Sequence, residues 1–146
     1  MDAFDWLARN RVVLCHFDTY SAALLFARWD GTLLAPAALP ASAAPMAAPD
    51  DAGVGHDGAA VMQAACDRYG LNADELVRLD DFDAWMHTDD GPLRVHVLRF
   101  DTFEAPGEAL APHGGRFQHL TQLRGSPMIE LNLLRQVFNL MVGGSR

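Results

Sequence analysis

Four polar or aromatic side chains in two neighbouring predicted strands could bind a ligand. Trp85 and His87 share one face of "FDAWMHT", because strand side chains alternate between faces. Arg94 and His96 share one face of "LRVHVLRF" in the same way. Asp90-Gly91-Pro92 turns the chain between the two strands. If the faces coincide, the set could stack a base or bind a phosphate. The alternative is a partly exposed sheet face stabilised by cross-strand pairs.

Length and composition indicate an ordinary globular chain. The 146 residues favour a single domain over residues 1–146, with 50% hydrophobic and 21% charged residues. No apolar run has the length needed to span a bilayer, so we expect no membrane association. The start "MDAFDWLARNR" lacks the pattern of a signal peptide, and we expect a cytoplasmic protein.

Charge and residue usage exclude several chemistries. The net charge is −8, and all basic residues are arginine, so Schiff-base and Walker-type lysines are excluded. An acidic chain lacks the basic surface that nonspecific nucleic-acid binding needs, and we expect no nucleic-acid partner. Cys15 and Cys66 lie in apolar surroundings without zinc-ligand spacing and are expected to be buried hydrophobes.

The first half of the chain predicts strands, a long loop and a helix. Residues 11–17 and 21–29 are short apolar runs typical of strands, and Asp30-Gly31 predicts a hairpin from Ala22 to Leu34. The Ala/Pro/Gly-rich stretch 35–55 predicts a flexible loop. Residues 56–71 have helical spacing, with Asp57 as N-cap and Gly70 as the left-handed stop. The predicted buried stripe is Ala59, Met62, Cys66 and Tyr69.

The second half ends in the clearest helix, "GSPMIELNLLRQVFNLMVGG". Ser126 is its predicted cap, Pro127 suits its first position, and Glu130 lies near its positive end. Gly143-Gly144 is its predicted end. The predicted buried stripe is Leu134, Val137, Phe138 and Met141. Further leucines lie outside this stripe, which suggests that a second side of the helix is also covered. A homodimer contact is one explanation.

The order of these elements resembles the Nudix fold. The order is hairpin, loop, helix ending in Gly-Leu, paired strands, loop and long C-terminal helix. "ALLFARWDGTLLAP" looks like the first hairpin of that family, and "QAACDRYGL" lies where its catalytic box would end. The resemblance implies an α+β fold: an α/β/α sandwich with a mixed sheet, a box helix and a long C-terminal helix.

The box itself has lost most of its acids. With Gly70-Leu71 as anchor, Gln63 stands at the box arginine and Ala64 at the first glutamate, while Asp67 and Arg68 stand at the paired glutamates. Asp67 is therefore the one metal-ligand candidate left in the box. Family enzymes hold Mg²⁺ or Mn²⁺ against a diphosphate, and a hard divalent ion needs several oxygen ligands. We therefore expect no cofactor, with Mg²⁺ only if other acids compensate.

Three functions follow as hypotheses. The first is a Nudix-like domain that binds or senses a nucleotide-like small molecule without hydrolysing it. The second is a diverged hydrolase of a nucleoside diphosphate derivative that uses acids on or near the loops. The third is a structural or interaction protein without a small ligand. The absent box acids favour a protein that is not an enzyme. The candidate loop acids are Asp50, Asp51, Asp57, Glu104 and Glu108.

Overall fold

A mixed open β-sheet forms the centre of the molecule. The computed structural model describes residues 5–18, 20–50 and 54–143. The strands in this part of the chain are β1 Asn10–Asp18, β2 Ala23–Trp29, β3 Ala44–Met46, β4 Leu76–Arg78, β5 Ala84–Thr88, β6 Gly91–Phe100 and β7 Gly115–His119. Their order is β3-β5-β6-β1-β2-β7, and β4 pairs with the end of β6 beyond β5. The mixed α+β class predicted from the sequence is confirmed.

Helices cover both faces of this sheet. The α-helices are α1 Gly58–Tyr69, α2 Gly107–Leu110 and α3 Met128–Phe138, and a π-helical turn Asn139–Gly143 follows α3. Short 3-10 turns lie at Val54–His56, Ala73–Glu75, Ala111–His113 and Leu120–Leu123. One core cluster joins the sheet to α3, and a second joins its other face to α1. No helix in the described ranges is both long and apolar enough to cross a membrane.

Strand β1 lies at the middle of the sheet and is buried on both sides. It pairs in parallel with β6, from Asn10 opposite Arg94 to His16 opposite Phe100, and antiparallel with β2. Val13 faces the α3 core, and Val12 faces the α1 core. A strand covered on both faces has a continuous apolar run, which explains "VVLC".

Helix α1 begins and ends where the sequence predicts. The carboxylate of Asp57 accepts the backbone N–H of Ala60 at 3.0 Å, and Gly70 ends the helix with φ of 65°. The predicted stripe needs correction, because Ala59 is exposed and Met62 is only partly buried. The buried residues are Val61, Ala65, Cys66 and Tyr69.

The hairpin predicted from Ala22 to Leu34 is wrong in its second arm. Asp30-Gly31 does form the tight turn, with both backbone hydrogen bonds between Trp29 and Thr32. The chain then leaves β2, because the buried Glu130 of α3 accepts the backbone N–H of Leu33 at 3.0 Å. β2 is instead the second arm of a hairpin with β1.

The stretch 35–55 is not a loop throughout. Residues 44–46 form β3, which pairs antiparallel with β5 and places Pro45 in an edge strand. Leu39 and Ala43 pack against the α3 core. Residues 51–53 of the predicted loop lie outside the described ranges.

The beginning of α3 also differs from the prediction. Pro127 is the N-cap residue, and no side chain caps the helix. Ser126 is buried, and its Oγ has no hydrogen-bond partner among the described residues. Leu133 replaces Phe138 in the buried stripe, because Phe138 lies at the edge and is 36% exposed. The regular helix ends at Phe138, earlier than the predicted Gly143-Gly144, and the π-helical turn continues to Gly143. Gly144 lies outside the described residues.

Replacing Glu130 with alanine should strongly destabilise the fold. Its two carboxylate oxygens accept the hydroxyl of Thr32 at 2.7 Å and the N–H of Leu33 at 3.0 Å. Losing both bonds leaves a buried donor unsatisfied, so the free energy of unfolding should fall by about 3 kcal/mol in urea denaturation. The exposed Glu108 provides the control, and Glu108→Ala should change it by less than about 0.5 kcal/mol. Equal effects of the two substitutions would contradict this role of Glu130.

Candidate functional site

The two strand faces identified in the sequence coincide in the structure. Trp85 lies opposite Arg94 in the β5–β6 pair, and His87 lies opposite Pro92. His96 follows two residues after Arg94, on the β6 face whose Leu98 and Phe100 pack into the α1 core. The guanidinium carbon of Arg94 lies 5.4 Å from the centre of the Trp85 ring. His87 is exposed near the end of β5, apart from the buried His96.

Trp85 is used for internal packing. Its side chain is 3% exposed, and the ring of His56 meets it edge-on at 4.8 Å between centroids. The indole N–H donates to Asp83 at 2.7 Å. With Arg94 against the same ring, the indole is not open to a base, which removes the stacking role that the sequence suggested for it.

A buried amide joins this face to the beginning of β1. Asn10 is completely buried, and its Nδ2 donates to the carbonyls of Trp6 and Gly55 at 2.6 and 2.8 Å. Its Oδ1 therefore faces the two imidazoles, at 2.8 Å from Nε2 of His96 and 3.2 Å from Nδ1 of His56. An amide oxygen only accepts, so both ring nitrogens must carry hydrogen. Asn10 thereby fixes the tautomers of both histidines.

Both histidines are held in the neutral form. Burial, followed by the nearby charge of Arg94, lowers the pKa of His96 from 6.5 to about 3. The same two causes lower the pKa of His56. Since its Nε2 donates to Asn10, the neutral His96 ring has Nδ1 as an acceptor.

The guanidinium group of Arg94 already makes two contacts within the protein. One terminal nitrogen donates to the carbonyl of His56 at 3.0 Å, and the other lies 3.6 Å from the carboxylate of Asp83. Its Nε is buried, and no described residue offers it a hydrogen bond.

Arg94 and His96 line a cavity of about 270 Å³ between the sheet and the beginning of α1. We call it the arginine cavity, because Arg78 from β4 also lines it. A side-chain carbon on Gly58 would lie 2.7 Å from a terminal nitrogen of Arg78, so the beginning of α1 lies close against this guanidinium group. The other polar residues of its lining are Asp57 and Asp80.

The arginine cavity offers both hydrogen-bond donors and acceptors. Arg78 lies 3.4 Å from Asp80 in a partly exposed ion pair, which a stronger anionic ligand can replace at small cost. Asp57 and Asp80 provide acceptor oxygens, and Asp57 already accepts one N–H from α1. Such a mixture suits a ligand that has an anionic group together with hydroxyl or amino groups.

Asp67 lies apart from this cavity. It is exposed near the end of α1, where the side-chain amide of Gln63 donates to it at 2.9 Å. Gly58 is nine residues earlier, which corresponds to roughly 14 Å along a helix. Asp5 and Arg68 line the same surface hollow as Asp67. Two carboxylates beside a guanidinium do not fit a hard divalent ion, which needs more oxygen ligands.

The loop acids proposed as substitutes do not gather around Asp67. In the described ranges, no group of three or more His, Cys, Asp or Glu could hold a metal ion. Asp57 caps α1, and Glu104 lines a separate cavity near the end of β1. Asp51 lies outside the described residues.

The cysteines behave as the sequence suggests. Cys15 and Cys66 are free and buried. Burial raises the pKa of the Cys15 thiol to about 12 and raises that of Cys66 as well. Neither thiol has the lowered pKa of a nucleophile.

Sequence reasoning missed three residues of the site. Asn10, His56 and Arg78 come from separate segments, and only long-range pairing brings them to Arg94 and His96. Asn10 did carry one signal, since an amide that precedes an apolar strand buried on both faces needs partners.

A comparison with protein-family models finds no family that matches the chain, and a comparison with curated proteins finds no significant match.

His96 should make the stability of the protein depend on pH. In the unfolded chain it takes up a proton near pH 6.5, whereas in the folded protein its pKa is about 3. The unfolded state therefore binds more protons as the pH falls below 6.5, and the free energy of unfolding should fall by about 1 kcal/mol per pH unit. Urea denaturation between pH 7 and pH 5 measures this slope.

His96→Gln should flatten that slope, because glutamine does not titrate. His87→Gln is the matched control, since His87 is an exposed histidine on the neighbouring strand β5. An unchanged slope in His96→Gln would contradict the assignment of a buried neutral ring.

Proposed function

We propose that this protein binds a small nucleotide-like ligand in the arginine cavity and does not hydrolyse it. The observation that carries the proposal is that two guanidinium groups, Arg78 and Arg94, line one cavity of about 270 Å³. Arginine is the side chain best suited to phosphate, because its planar group donates two parallel hydrogen bonds.

The remaining lining supports recognition of more than a phosphate. The neutral His96 ring and the carboxylate of Asp80 accept hydrogen bonds from hydroxyl or amino groups of a sugar or base. Ligand sites usually span about 300 to 1,000 Å³. The cavity is slightly smaller than the low end of that range, so a mononucleotide or a phosphorylated sugar suits it better than a dinucleotide.

The proposal includes a diverged Nudix-like fold. Its supports are the helices on opposite faces of a mixed sheet and the position of α1 immediately after the long connection. In that register Asp67 is the only remaining box acid, and it is hydrogen-bonded to Gln63 on an exposed face. Binding without metal-assisted hydrolysis follows, because the oxygen ligands for Mg²⁺ are missing from the box.

A thermal-shift panel tests ligand binding. The ligands are AMP, ADP, ribose 5-phosphate, ADP-ribose, NAD and NADH, each with and without Mg²⁺. A ligand that binds the folded state raises the melting temperature, and we expect the mononucleotides to do so without Mg²⁺. Phosphate release is measured in the same samples. Metal-dependent phosphate release would overturn the proposal in favour of a diverged hydrolase. If no ligand raised the melting temperature, the remaining hypothesis would be an interaction protein without a small ligand.

Arg78→Gln should weaken binding of the stabilising ligand by about tenfold to a hundredfold, because it removes a charge-assisted bond to phosphate. The side chain of Arg78 is 37% exposed, so the fold should tolerate the change. Arg116→Gln is the matched control, because Arg116 is exposed on β7, at the opposite edge of the sheet from β3 and β5. Isothermal titration calorimetry measures both affinities. Equal losses would indicate general charge attraction rather than this cavity.

Self-association is a second candidate, favoured by an apolar groove beside α3. The groove has a volume of about 370 Å³, and Leu120, Leu131, Leu134 and Phe138 supply its apolar lining. Leu120 and Phe138 are each 36% exposed. A second copy of the chain that covers this face would remove the exposed apolar area from water.

Phe138→Glu should weaken this homodimer at least about tenfold, because it places a charge in the apolar contact. Met128→Glu is the control, since Met128 is 67% exposed at the beginning of the same helix and does not line the groove. Sedimentation velocity over a concentration series measures the dissociation constants. A monomer at every concentration would exclude this candidate.

A further inference from the structure

A second cavity lies at the far end of β1, on the same sheet face as the arginine cavity. It has a volume of about 590 Å³, and His16, Asp18, Tyr20, Phe103 and Glu104 are among its lining residues. His16 is six residues after Asn10, which corresponds to roughly 20 Å along a strand. We call it the histidine cavity. It shares no lining residue with the arginine cavity.

His16 presents an unused hydrogen-bond acceptor. Its side chain is only 1% exposed, and its Nε2 lies 2.8 Å from the carbonyl of Thr102. A carbonyl only accepts, so Nε2 must carry a hydrogen, which leaves Nδ1 as the ring nitrogen that can accept. In the part of the chain that the structure describes, this Nδ1 has no hydrogen-bond partner. A buried acceptor without a partner is costly, and a donor from a ligand would satisfy it.

Two aromatic rings flank the cavity and are largely open to solvent. Tyr20 is 87% exposed and Phe103 is 77% exposed, yet their ring centroids are 6.0 Å apart in an edge-to-face arrangement. Thr102 helps to hold the Phe103 turn, because its hydroxyl donates to the carbonyl of Glu104 at 2.7 Å. Exposed ring faces of this kind attract cations through the negative charge of the π system.

The charged residues that line this cavity are acidic. They are Asp18 and Glu104, and no arginine is among the described lining residues. The backbone N–H of Tyr20 donates to Asp18 at 2.9 Å and lowers the pKa of this carboxyl group, which keeps it ionised. His119 stands exposed at the rim, with its ring bonded to the backbone of Gln122.

We propose that the histidine cavity binds a small organic cation that carries N–H donors, of the amidinium, guanidinium or primary ammonium class. Such a cation satisfies all three features at once. Its N–H groups donate to Nδ1 of His16, its charge faces Asp18 and Glu104, and its body lies against Tyr20 and Phe103. A quaternary ammonium group would lack the donor that His16 needs, and an anion would meet two carboxylates.

The test compares benzamidine with benzamide, a neutral molecule of nearly the same shape. Binding is followed at pH 7.5 by titration of the ¹⁵N-labelled full chain, with both backbone amides and imidazole nitrogens observed. We expect benzamidine to bind at least about tenfold more tightly than benzamide, because only benzamidine is charged. The perturbed amides should be those of residues 16–18, 20–21 and 102–105, and the Nδ1 signal of His16 should shift on binding.

Phe103→Ala and Asp18→Asn should each weaken benzamidine binding several-fold. Phe103 is exposed and Asp18 is partly exposed at the end of β1, so the fold should tolerate the changes. Met128→Ala is the matched control, because Met128 is an exposed apolar residue on α3 that lines neither this cavity nor the apolar groove, and it should leave the affinity unchanged. Equal binding of benzamide, or unchanged affinity in both variants, would overturn the proposal. Perturbation spread over other acidic stretches, such as residues 80–83, would overturn it as well, since it indicates only attraction to a chain of net charge −8.

Discussion

The parallel pairing of β1 with β6 is the constraint on which the rest of the molecule depends. It places Asn10 opposite Arg94 at one end and His16 opposite Phe100 at the other. Because side chains alternate, alternate residues of β1 enter the two cores under α1 and α3. A slip of one residue would exchange every one of these side chains between the cores, so the register is strongly specified. Both cavities depend on this pair for their position.

Two buried polar side chains connect irregular segments to this framework. The carboxylate of Glu130 binds the backbone after β2, and the amide of Asn10 binds the carbonyls of Trp6 and Gly55. Both oxygens of Glu130 and both polar atoms of Asn10 have hydrogen-bond partners, and a satisfied buried polar group helps to specify one structure. For the arginine cavity this means that the histidine tautomers and the position of Arg94 are set before a ligand arrives, and such preorganisation lowers the entropic cost of binding.

Local features of the sequence predict local structure, and the failures come from long-range contacts. The predicted caps of α1 are correct because Asp57 and Gly70 each form a hydrogen bond to a residue three or four positions away. The predicted pairing of β5 with β6 is correct because a tight turn fixes the register of the two strands. The prediction of a second hairpin arm is wrong because the backbone N–H of Leu33 donates to the carboxylate of Glu130, which is 97 residues away. Ser126 satisfies the pattern of a cap, but Pro127 is the N-cap residue, and the Ser126 hydroxyl has no hydrogen-bond partner among the described residues. No periodicity could associate Arg78 with Arg94.

The short edge strand β3 has a consequence for how the protein behaves at high concentration. An open sheet edge offers unpaired N–H and C=O groups to which a strand of another molecule can add. β3 lies at one edge of this sheet, contains only Ala44–Met46, and has Pro45 at its centre. Proline has no N–H to donate, so an added strand would form one fewer backbone hydrogen bond with β3. This edge therefore resists the edge-to-edge pairing of sheets from different molecules that leads to fibrous aggregates, even though the apolar β5 lies directly behind it.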